Sequence, residues 1–362
     1  MVVGKTWSKL YGLYGCLIAL LLVSCQPKPT EVSTIPDLQT SPTLQTQSIT
    51  LTGAGASFPY IIYQRWFEAY NQQNPDVLIN YQPIGSAAGI QQIITETVDF
   101  GASDIAMTDA EMAQVPGGVV LLPMTAGSVA IAYNVPGAED GLRLPRDVYP
   151  RIFLGDIINW NDPAIVAANP DLELPDLPII LVHRSDGSGT TAVFSSHLSA
   201  ISPAWDTQVG SGLNLSWPAG VGVKSNAGVS AQVLQAPGAI GYVEFSYAQQ
   251  LEMPVAALEN QAGNYVQPSL VTTAAALADV ELPADLRVFV PDPPGADAYP
   301  IATYSWLLAY QQYEDANLAA NLKAILKWSL TEGQQFSEEL GYVPLPKAVV
   351  ERTMAAVESI QP

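Results

Sequence analysis

Three segments of the sequence place a hydroxyl side chain among small residues, where a strand-like run passes into a helical pattern. They are residues 51–59, 81–89 and 182–190, with Ser57, Ser86 and Ser188 as their hydroxyl residues. The free backbone N–H groups and the dipole at a helix start attract anions, so such a serine is either a helix cap or one wall of an anion site. In one such segment alone, the serine is more often a helix cap than part of an anion site. Three together, two of them glycine-rich, favour an anion site, because glycine lets backbone N–H groups approach a ligand closely.

Charged residues accompany these segments. Arg184 adds a full positive charge to the third one, and Asp186, two residues later, can hold its guanidinium group; an ordinary surface arginine beside a turn aspartate is an equal alternative. Asp104 follows a strand-like run and on its own would be a turn residue. Beside an anion, a carboxylate is useful only if the ligand carries a proton, as phosphate does and sulfate does not.

Composition excludes several classes of protein. The chain has 362 residues, enough for two domains, and 48% hydrophobic against 13% charged residues is typical of a globular protein. A formal net charge of −20 repels nucleic-acid phosphates, so we expect no nucleic-acid partner. Two cysteines and two histidines, scattered along the chain, do not form a structural zinc site. We therefore expect neither a metal nor a cofactor, although a metal site built only from carboxylates stays open.

Familiar catalytic motifs are incomplete. Phe58 occupies the third glycine position of a dinucleotide-binding fingerprint, and Val223 precedes Lys224 where a phosphate-binding loop needs glycine. Ser188 lies in Asp-Gly-Ser-Gly, which is not the nucleophile elbow of a hydrolase. An exported serine hydrolase using Ser188 or Ser57 stays open as an alternative, with His183 and His197 as the candidate bases.

The N-terminus is typical of an exported lipoprotein. Lys5 and Lys9 precede an uncharged, leucine-rich run over residues 10–24, which is the layout of a signal peptide and is too short to span a membrane comfortably. The run ends in Leu-Val-Ser-Cys at residues 22–25, which resembles a lipobox. We expect residues 1–24 to be a signal peptide, Cys25 to be lipidated, and residues 25–50, rich in Gln, Pro, Ser and Thr, to be a flexible tether.

Beyond the tether, strand-like runs alternate with helical patterns, which predicts an α/β protein with substantial parallel pairing. The predicted strands lie within residues 77–84, 119–135 and 177–183. The predicted helices lie within residues 60–70, 88–98, 190–198, 322–330 and 347–360.

Three motifs together carry a specific resemblance. Leu-Thr-Gly-Ala-Gly-Ala-Ser-Phe-Pro at 51–59, Val-Asp-Phe-Gly-Ala-Ser-Asp at 98–104 and Arg-Ser-Asp-Gly-Ser-Gly-Thr at 184–190 resemble the phosphate-binding proteins of bacterial phosphate ABC importers. The resemblance runs from about residue 51 to the C-terminus. It implies the hinged, two-lobed α/β fold of type II periplasmic binding proteins, with the ligand in the cleft between the lobes. Lobe 1 would comprise residues 51–125 and 299–362, and lobe 2 residues 126–298.

The resemblance also implies a phosphate site. Its residues would be Ser57, Phe58 through its backbone N–H, Ser86, Asp104, Arg184, Asp186, Ser188, Gly189 and Thr190. Asp104 would accept the phosphate proton, and Arg184, oriented by Asp186, would pair with the anion. This sequence departs from the family pattern at Ser57, where threonine is frequent, and at Ser-Ala-Ala-Gly over residues 86–89, where the turn is usually richer in glycine.

The leading hypothesis is a monomeric, lipid-anchored extracytoplasmic protein that binds inorganic phosphate and delivers it to the permease of an ABC importer, without being an enzyme. Binding of another tetrahedral oxyanion, such as sulfate, molybdate or tungstate, is the nearest alternative. The serine hydrolase is a less favoured one. A receptor that senses phosphate without transporting it is a third possibility that the sequence does not separate from transport.

Overall fold

The computed structural model describes residues 48–278 and 280–362. The predicted signal peptide, Cys25 and nearly all of the predicted tether lie outside the described residues. Within the described ranges, no helix is long and apolar enough to cross a membrane.

Strands and helices alternate along most of the described chain. The strands are β1 Ile49–Gly55, β2 Val77–Gln82, β3 Phe100–Ser103, β4 Val119–Tyr133, β5 Arg143–Leu144, β6 Ile180–Arg184, β7 Val221–Val223, β8 Ala239–Glu244, β9 Ala257–Glu259, β10 Tyr265–Val266 and β11 Ala302–Tyr310. The helices are α1 Tyr60–Gln73, α2 Ser86–Ile94, α3 Asp109–Met112, α4 Tyr149–Leu154, α5 Pro163–Ala168, α6 Gly189–Ile201, α7 Pro203–Gln208, α8 Ser225–Gln235, α9 Phe245–Gln250, α10 Leu270–Leu277, α11 Ala316–Leu330 and α12 Lys347–Glu358. Each strand and helix predicted from periodicity is present with shifted ends.

Eight strands form one mixed sheet in the order β2-β1-β3-β11-β4-β8-β6-β7. Pairing is parallel toward both edges, where β1 lies between β2 and β3, and β6 lies between β7 and β8. Pairing is antiparallel in the middle, where β11 joins β3 to β4 and β4 joins β8. The predicted parallel pairing is therefore confirmed for the outer strands, whereas the centre is built from returning strands.

The long strand β4 joins the two halves of this sheet. Its first part, residues 119–128, pairs with β11, and its last part, residues 129–133, pairs with β8. Almost every residue of β4 is buried. A strand covered on both faces reads as a nearly continuous apolar run, which explains why this segment lacks the alternation of a half-exposed strand.

Helix α1 covers the half of the sheet that contains β1. Its buried residues recur three or four positions apart, as on one face of a helix, and include Tyr63 and Trp66. The Trp66 indole N–H donates to the carbonyl of Gly333 at 2.7 Å, so this large buried ring keeps a polar partner. This contact ties α1 to the C-terminal part of the chain.

Helix α2 packs unusually close to the sheet at Gly89. A Cβ atom on this residue would lie 2.6 Å from the Ala102 carbonyl oxygen and 2.6 Å from the Gly55 Cα. Both are backbone atoms that cannot move aside as a flexible side chain would. Gly89 thus sets the distance between α2 and the strands β1 and β3.

Gly89→Ala should lower the free energy of unfolding by about 1–3 kcal/mol, because the added methyl group has no space. Gly228→Ala is the matched control: Gly228 is likewise the fourth residue of its helix, α8, and a Cβ there meets its nearest neighbour at 3.7 Å. The control should gain about 0.5–1 kcal/mol from helix propensity. Urea unfolding of both variants measures the difference, and equal effects would contradict the packing argument.

Candidate functional site

The carboxyl group of Asp104 lies at the end of β3 and is only 1% exposed. Its Oδ1 accepts a hydrogen bond from Ser305 at 2.9 Å, and its Oδ2 accepts one from Ser86 at 3.4 Å. Burial raises the pKa of Asp104 to about 7, although these two hydrogen bonds and the charge of Arg184 act to lower it. Asp104 can therefore change its protonation state near neutral pH.

The turn after β1 brings Ser57 and Phe58 to the same region. Ser57 is 2% exposed, and its Oγ accepts hydrogen bonds from the backbone N–H of Asn226 at 3.3 Å and from the Asn226 side-chain amide at 3.1 Å. The backbone N–H of Phe58 meets no acceptor among the described residues. Ser57 is not a helix cap, because α1 begins three residues later with Pro59 at its N-cap.

Ser86 is the first residue of α2 and is fully buried. It follows Gly85, whose φ of 100° lies in the region that favours glycine. A Cβ on Gly85 would also approach the Gly187 carbonyl oxygen at 2.7 Å. The Ser86 Oγ accepts from the backbone N–H of Asp104 at 3.2 Å, so this serine also contacts a neighbouring strand end and is not a side-chain cap of α2.

Arg184 and Asp186 form a bidentate ion pair at the end of β6. The Arg184 Nε donates to Asp186 Oδ1 at 2.7 Å and Nη2 donates to Oδ2 at 2.5 Å, with side-chain exposures of 1% and 11%. Burial alone would raise the pKa of Asp186, but the hydrogen bonds and charge of Arg184 outweigh it and the net shift is downward. The guanidinium plane is therefore held in one orientation.

The start of α6 closes this region from the other side. Ser188 is a true N-cap, since its Oγ accepts from the backbone N–H of Thr191 at 3.1 Å. The backbone N–H groups of Gly189 and Thr190 meet no acceptor in the part of the chain that the structure describes. A Cβ on Gly189 would lie 2.6 Å from Asp104 Oδ2, so only glycine allows this approach.

The starts of α2 and α6 also touch directly. The backbone N–H of Ala87 donates to the Gly187 carbonyl at 3.0 Å. The structure thus brings together the side chains of Ser57, Ser86, Asp104, Arg184, Asp186, Ser188 and Thr190 with the backbone of Phe58 and Gly189. These are all of the residues that the sequence nominated, and they come from both halves of the sheet.

Sequence reasoning missed Asn226 and Ser305. Asn226 lies at the start of α8, after the short strand β7, so a fourth strand–turn–helix unit with Ser-Asn-Ala-Gly at residues 225–228 was the available signal. Ser305 lies inside β11 and has no local pattern that distinguishes it. Its role depends on the pairing of β11 with β3, which places its Oγ beside Asp104.

The two histidines do not form the base of a serine nucleophile. His183 stacks on Trp217 with ring centroids 4.7 Å apart. His197 is buried, its ring nitrogens contact the Tyr149 hydroxyl and the Pro291 carbonyl at 2.7 Å each, and burial lowers its pKa to about 4. Among the described residues neither ring is hydrogen-bonded to Ser57 or Ser188, and no cluster of His, Cys, Asp and Glu could hold a metal ion.

The mixed sheet and the convergent helix starts define a class of protein. A model of the PBP superfamily domain matches residues 40–332. A solved structure of a phosphate-binding protein from Stenotrophomonas maltophilia matches with a TM-score of 0.68 at 20% identity, covering 85% of this chain and 93% of that one. A substrate-binding protein from Clostridium perfringens matches with a TM-score of 0.60 at 18% identity, covering 82% and 100%. These likenesses confirm the two-lobed α/β fold.

Relatives found by sequence identify the family within this superfamily. A phosphate-binding protein PstS from Xylella fastidiosa (strain 9a5c) is 42% identical over 345 residues, covering 93% of this chain and 94% of the relative. Another, from Methanocaldococcus jannaschii, is 37% identical over 340 residues and covers 87% of each chain. The chain belongs to the family of PstS phosphate-binding proteins, within the PBP superfamily, and the resemblance read from its three motifs is confirmed.

The buried carboxyl group of Asp104 should make the ligand-free protein less stable as the pH rises from 3.8, its ordinary pKa, to about 7. Over this range the folded protein holds a proton at Asp104 that the unfolded chain releases, so the free energy of unfolding falls. Asp104→Asn removes the group that holds this proton, so the free energy of unfolding should fall less steeply with pH in the variant. Urea unfolding of phosphate-free protein across this range measures it.

Glu244, whose pKa burial raises to about 8, stays in both proteins and adds a similar decline to each. Only the difference between the two curves therefore reports Asp104. Parallel curves would show that the folded protein holds no more protons at Asp104 than the unfolded chain does.

Proposed function

We propose that the protein binds inorganic phosphate outside the cytoplasm and delivers it to the permease of an ABC importer. Membership of the PstS family supports this function, and the relatives at 37–42% identity bear the name phosphate-binding protein. The observation that carries it is a single carboxyl group, Asp104, set among groups that donate hydrogen bonds.

The proposed binding residues divide by role. Arg184 supplies the positive charge, and the N–H groups of Phe58, Gly189 and Thr190 supply donors that no protein acceptor occupies among the described residues. The hydroxyl groups of Ser57, Ser188 and Thr190 add further donors, and Ser86 joins them when its hydroxyl turns from Asp104, to which it donates here, toward the anion. Asp186 does not bind the anion itself but fixes the Arg184 guanidinium group. Helix starts thus provide anion binding in a chain whose net charge is strongly negative.

Above about pH 7, where Asp104 is ionised in the ligand-free protein, this residue accounts for selectivity for phosphate. An ionised carboxylate accepts a hydrogen bond from an anion that still carries a proton, and repels one that does not. Phosphate retains a proton near neutral pH, whereas sulfate does not. Sulfate and the other oxyanions considered from the sequence should therefore bind far more weakly.

We place the hinge between the lobes at the change of partner along β4. The predicted boundary after residue 125 lies within a few residues of position 128, where β4 leaves β11 for β8. The second predicted boundary, after residue 298, lies close to Ile301, whose carbonyl accepts from Val129 at 2.9 Å. On this assignment the contact between Ala87 and Gly187 joins one lobe to the other, as in a closed cleft.

We further propose that Cys25 carries a lipid that anchors the protein at the outer face of a membrane. The tether would end at residue 48, two residues before the predicted end, because β1 begins at Ile49. The order of basic residues, apolar run and cysteine supports this assignment. The folded part would then act as a monomer that diffuses within reach of the permease.

The sample is protein that lacks residues 1–25 and has been freed of carried-over phosphate by unfolding and refolding. It should bind phosphate tightly, and it should bind sulfate at least about a hundredfold more weakly. Asp104→Asn should reduce the preference for phosphate over sulfate at least about tenfold, or about 1.4 kcal/mol, because a neutral amide no longer repels a fully ionised anion. Isothermal titration calorimetry with each anion measures both. Tight sulfate binding would overturn the phosphate assignment, and an unchanged preference in Asp104→Asn would remove Asp104 from the site.

Arg184→Lys should weaken phosphate binding about ten- to a hundredfold, because lysine cannot keep two charge-assisted hydrogen bonds to Asp186 while facing an anion. Arg146→Lys is the matched control, since Arg146 makes an equivalent bidentate pair with Asp292 at 2.8 and 2.6 Å, away from the proposed site. The control should bind phosphate normally in the same titration. Equal losses in both variants would mean that Arg184 acts only through general stability.

A further inference from the structure

Asn226 is fully buried at the start of α8 and lies between the turn after β1 and the start of α6. Its side chain touches residues from both halves of the sheet. The Nδ2 group donates to Ser57 Oγ at 3.1 Å and to Thr190 Oγ1 at 3.2 Å, and its backbone N–H also donates to Ser57 Oγ, at 3.3 Å. Asn226 is therefore the bridge between two of the proposed phosphate-binding hydroxyl groups.

The orientation of this amide is fixed by a third contact. The Oδ1 atom of Asn226 accepts a hydrogen bond from the backbone N–H of Glu244 at 3.0 Å. A backbone N–H can only donate, so the amide oxygen must face Glu244. The NH₂ group must then face the two hydroxyl groups, and a flipped amide would place a donor against a donor.

This orientation decides which way the hydroxyl groups can act. A hydroxyl group has one proton to donate and two lone pairs that accept. Ser57 Oγ accepts twice from Asn226, while Thr190 Oγ1 accepts from Asn226 and from Arg184 Nη1 at 3.4 Å. Among the described residues neither hydroxyl donates to a protein acceptor. Both protons therefore stay available to a ligand.

We propose that Asn226 is a positioning residue that forces Ser57 and Thr190 to act as hydrogen-bond donors toward the anion bound between them. The inference rests on the proposed function and deepens it. Asn226 fills both accepting positions of Ser57, and Asn226 together with Arg184 fills those of Thr190, so neither hydroxyl group can accept a hydrogen bond from the ligand. Asp104 is then the group that accepts the hydrogen bond from the proton of the anion. The donating hydroxyl groups of Ser57 and Thr190 favour ligands whose remaining oxygen atoms only accept hydrogen bonds.

The test is a double-mutant cycle on phosphate affinity with Asn226→Ala, Ser57→Ala and the double variant. Each single change should weaken binding about tenfold. The double variant should bind only slightly more weakly than Ser57→Ala, because Asn226 acts on the ligand in part through that hydroxyl group. Additive losses would overturn the inference, since a residue that only supports the fold has no reason to act through Ser57.

Asn260→Ala is the matched control for the loss of a buried asparagine. Asn260 is 1% exposed, and its amide donates to the carbonyls of Gly295, Ala296 and Ala298, away from the proposed site. It should lower the unfolding temperature of ligand-free protein without changing phosphate affinity. A similar loss of affinity in this control would also overturn the inference.

Asn226→Asp provides a second route, for the case in which Asn226→Ala does not fold. It is nearly isosteric but replaces the donating NH₂ by an accepting oxygen, to which both hydroxyl groups would then donate. Phosphate affinity should fall at least about a hundredfold in Asn226→Asp. Adding Ser57→Ala to this variant should neither restore the affinity nor lower it much further. If the unaltered protein fails to bind phosphate, the proposed function fails; if it binds and the cycle is additive, only the role of Asn226 fails.

Discussion

A carboxyl group buried beside the proposed anion site is the constraint that the rest of the structure satisfies. Leaving Asp104 without partners would be costly, and Ser305, Ser86 and the nearby charge of Arg184 offset the penalty only in part. The raised pKa of Asp104 results from that balance. It leaves a group that can exchange a proton near neutral pH, at the position where a protonated anion would be distinguished from a fully ionised one.

The sheet topology supplies the groups that surround this carboxyl. Strands β1, β3 and β6 end near one another, and ligands in open α/β sheets bind outside the carboxyl ends of parallel strands. The long strand β4 links the two halves, with one register shift against β11 between Ser305 and Trp306, so turns from both halves can meet. Glycines at positions 85 and 189 permit an approach that any side chain would prevent.

The proposed site works through fixed dipoles in a protein with a net charge of −20. Arg184 is paired with Asp186, so its charge is balanced locally and its direction is fixed. Free N–H groups at helix starts and oriented hydroxyl groups then provide the attraction for an anion. This arrangement depends little on the surrounding surface charge, which explains how an acidic protein belongs to a family of anion binders.

Local sequence determined the strand–turn–helix segments, the fold family and the nomination of Ser57, Asp104 and Arg184, because periodicity and small residues are encoded within a few neighbouring positions. Only the tertiary structure decided that Ser188 is a cap while Ser57 and Ser86 are not. It also decided that Asn226 meets Ser57, 169 residues away, and that Ser305 meets Asp104, 201 residues away. Such contacts follow from strand order and register, which no short segment of the sequence specifies.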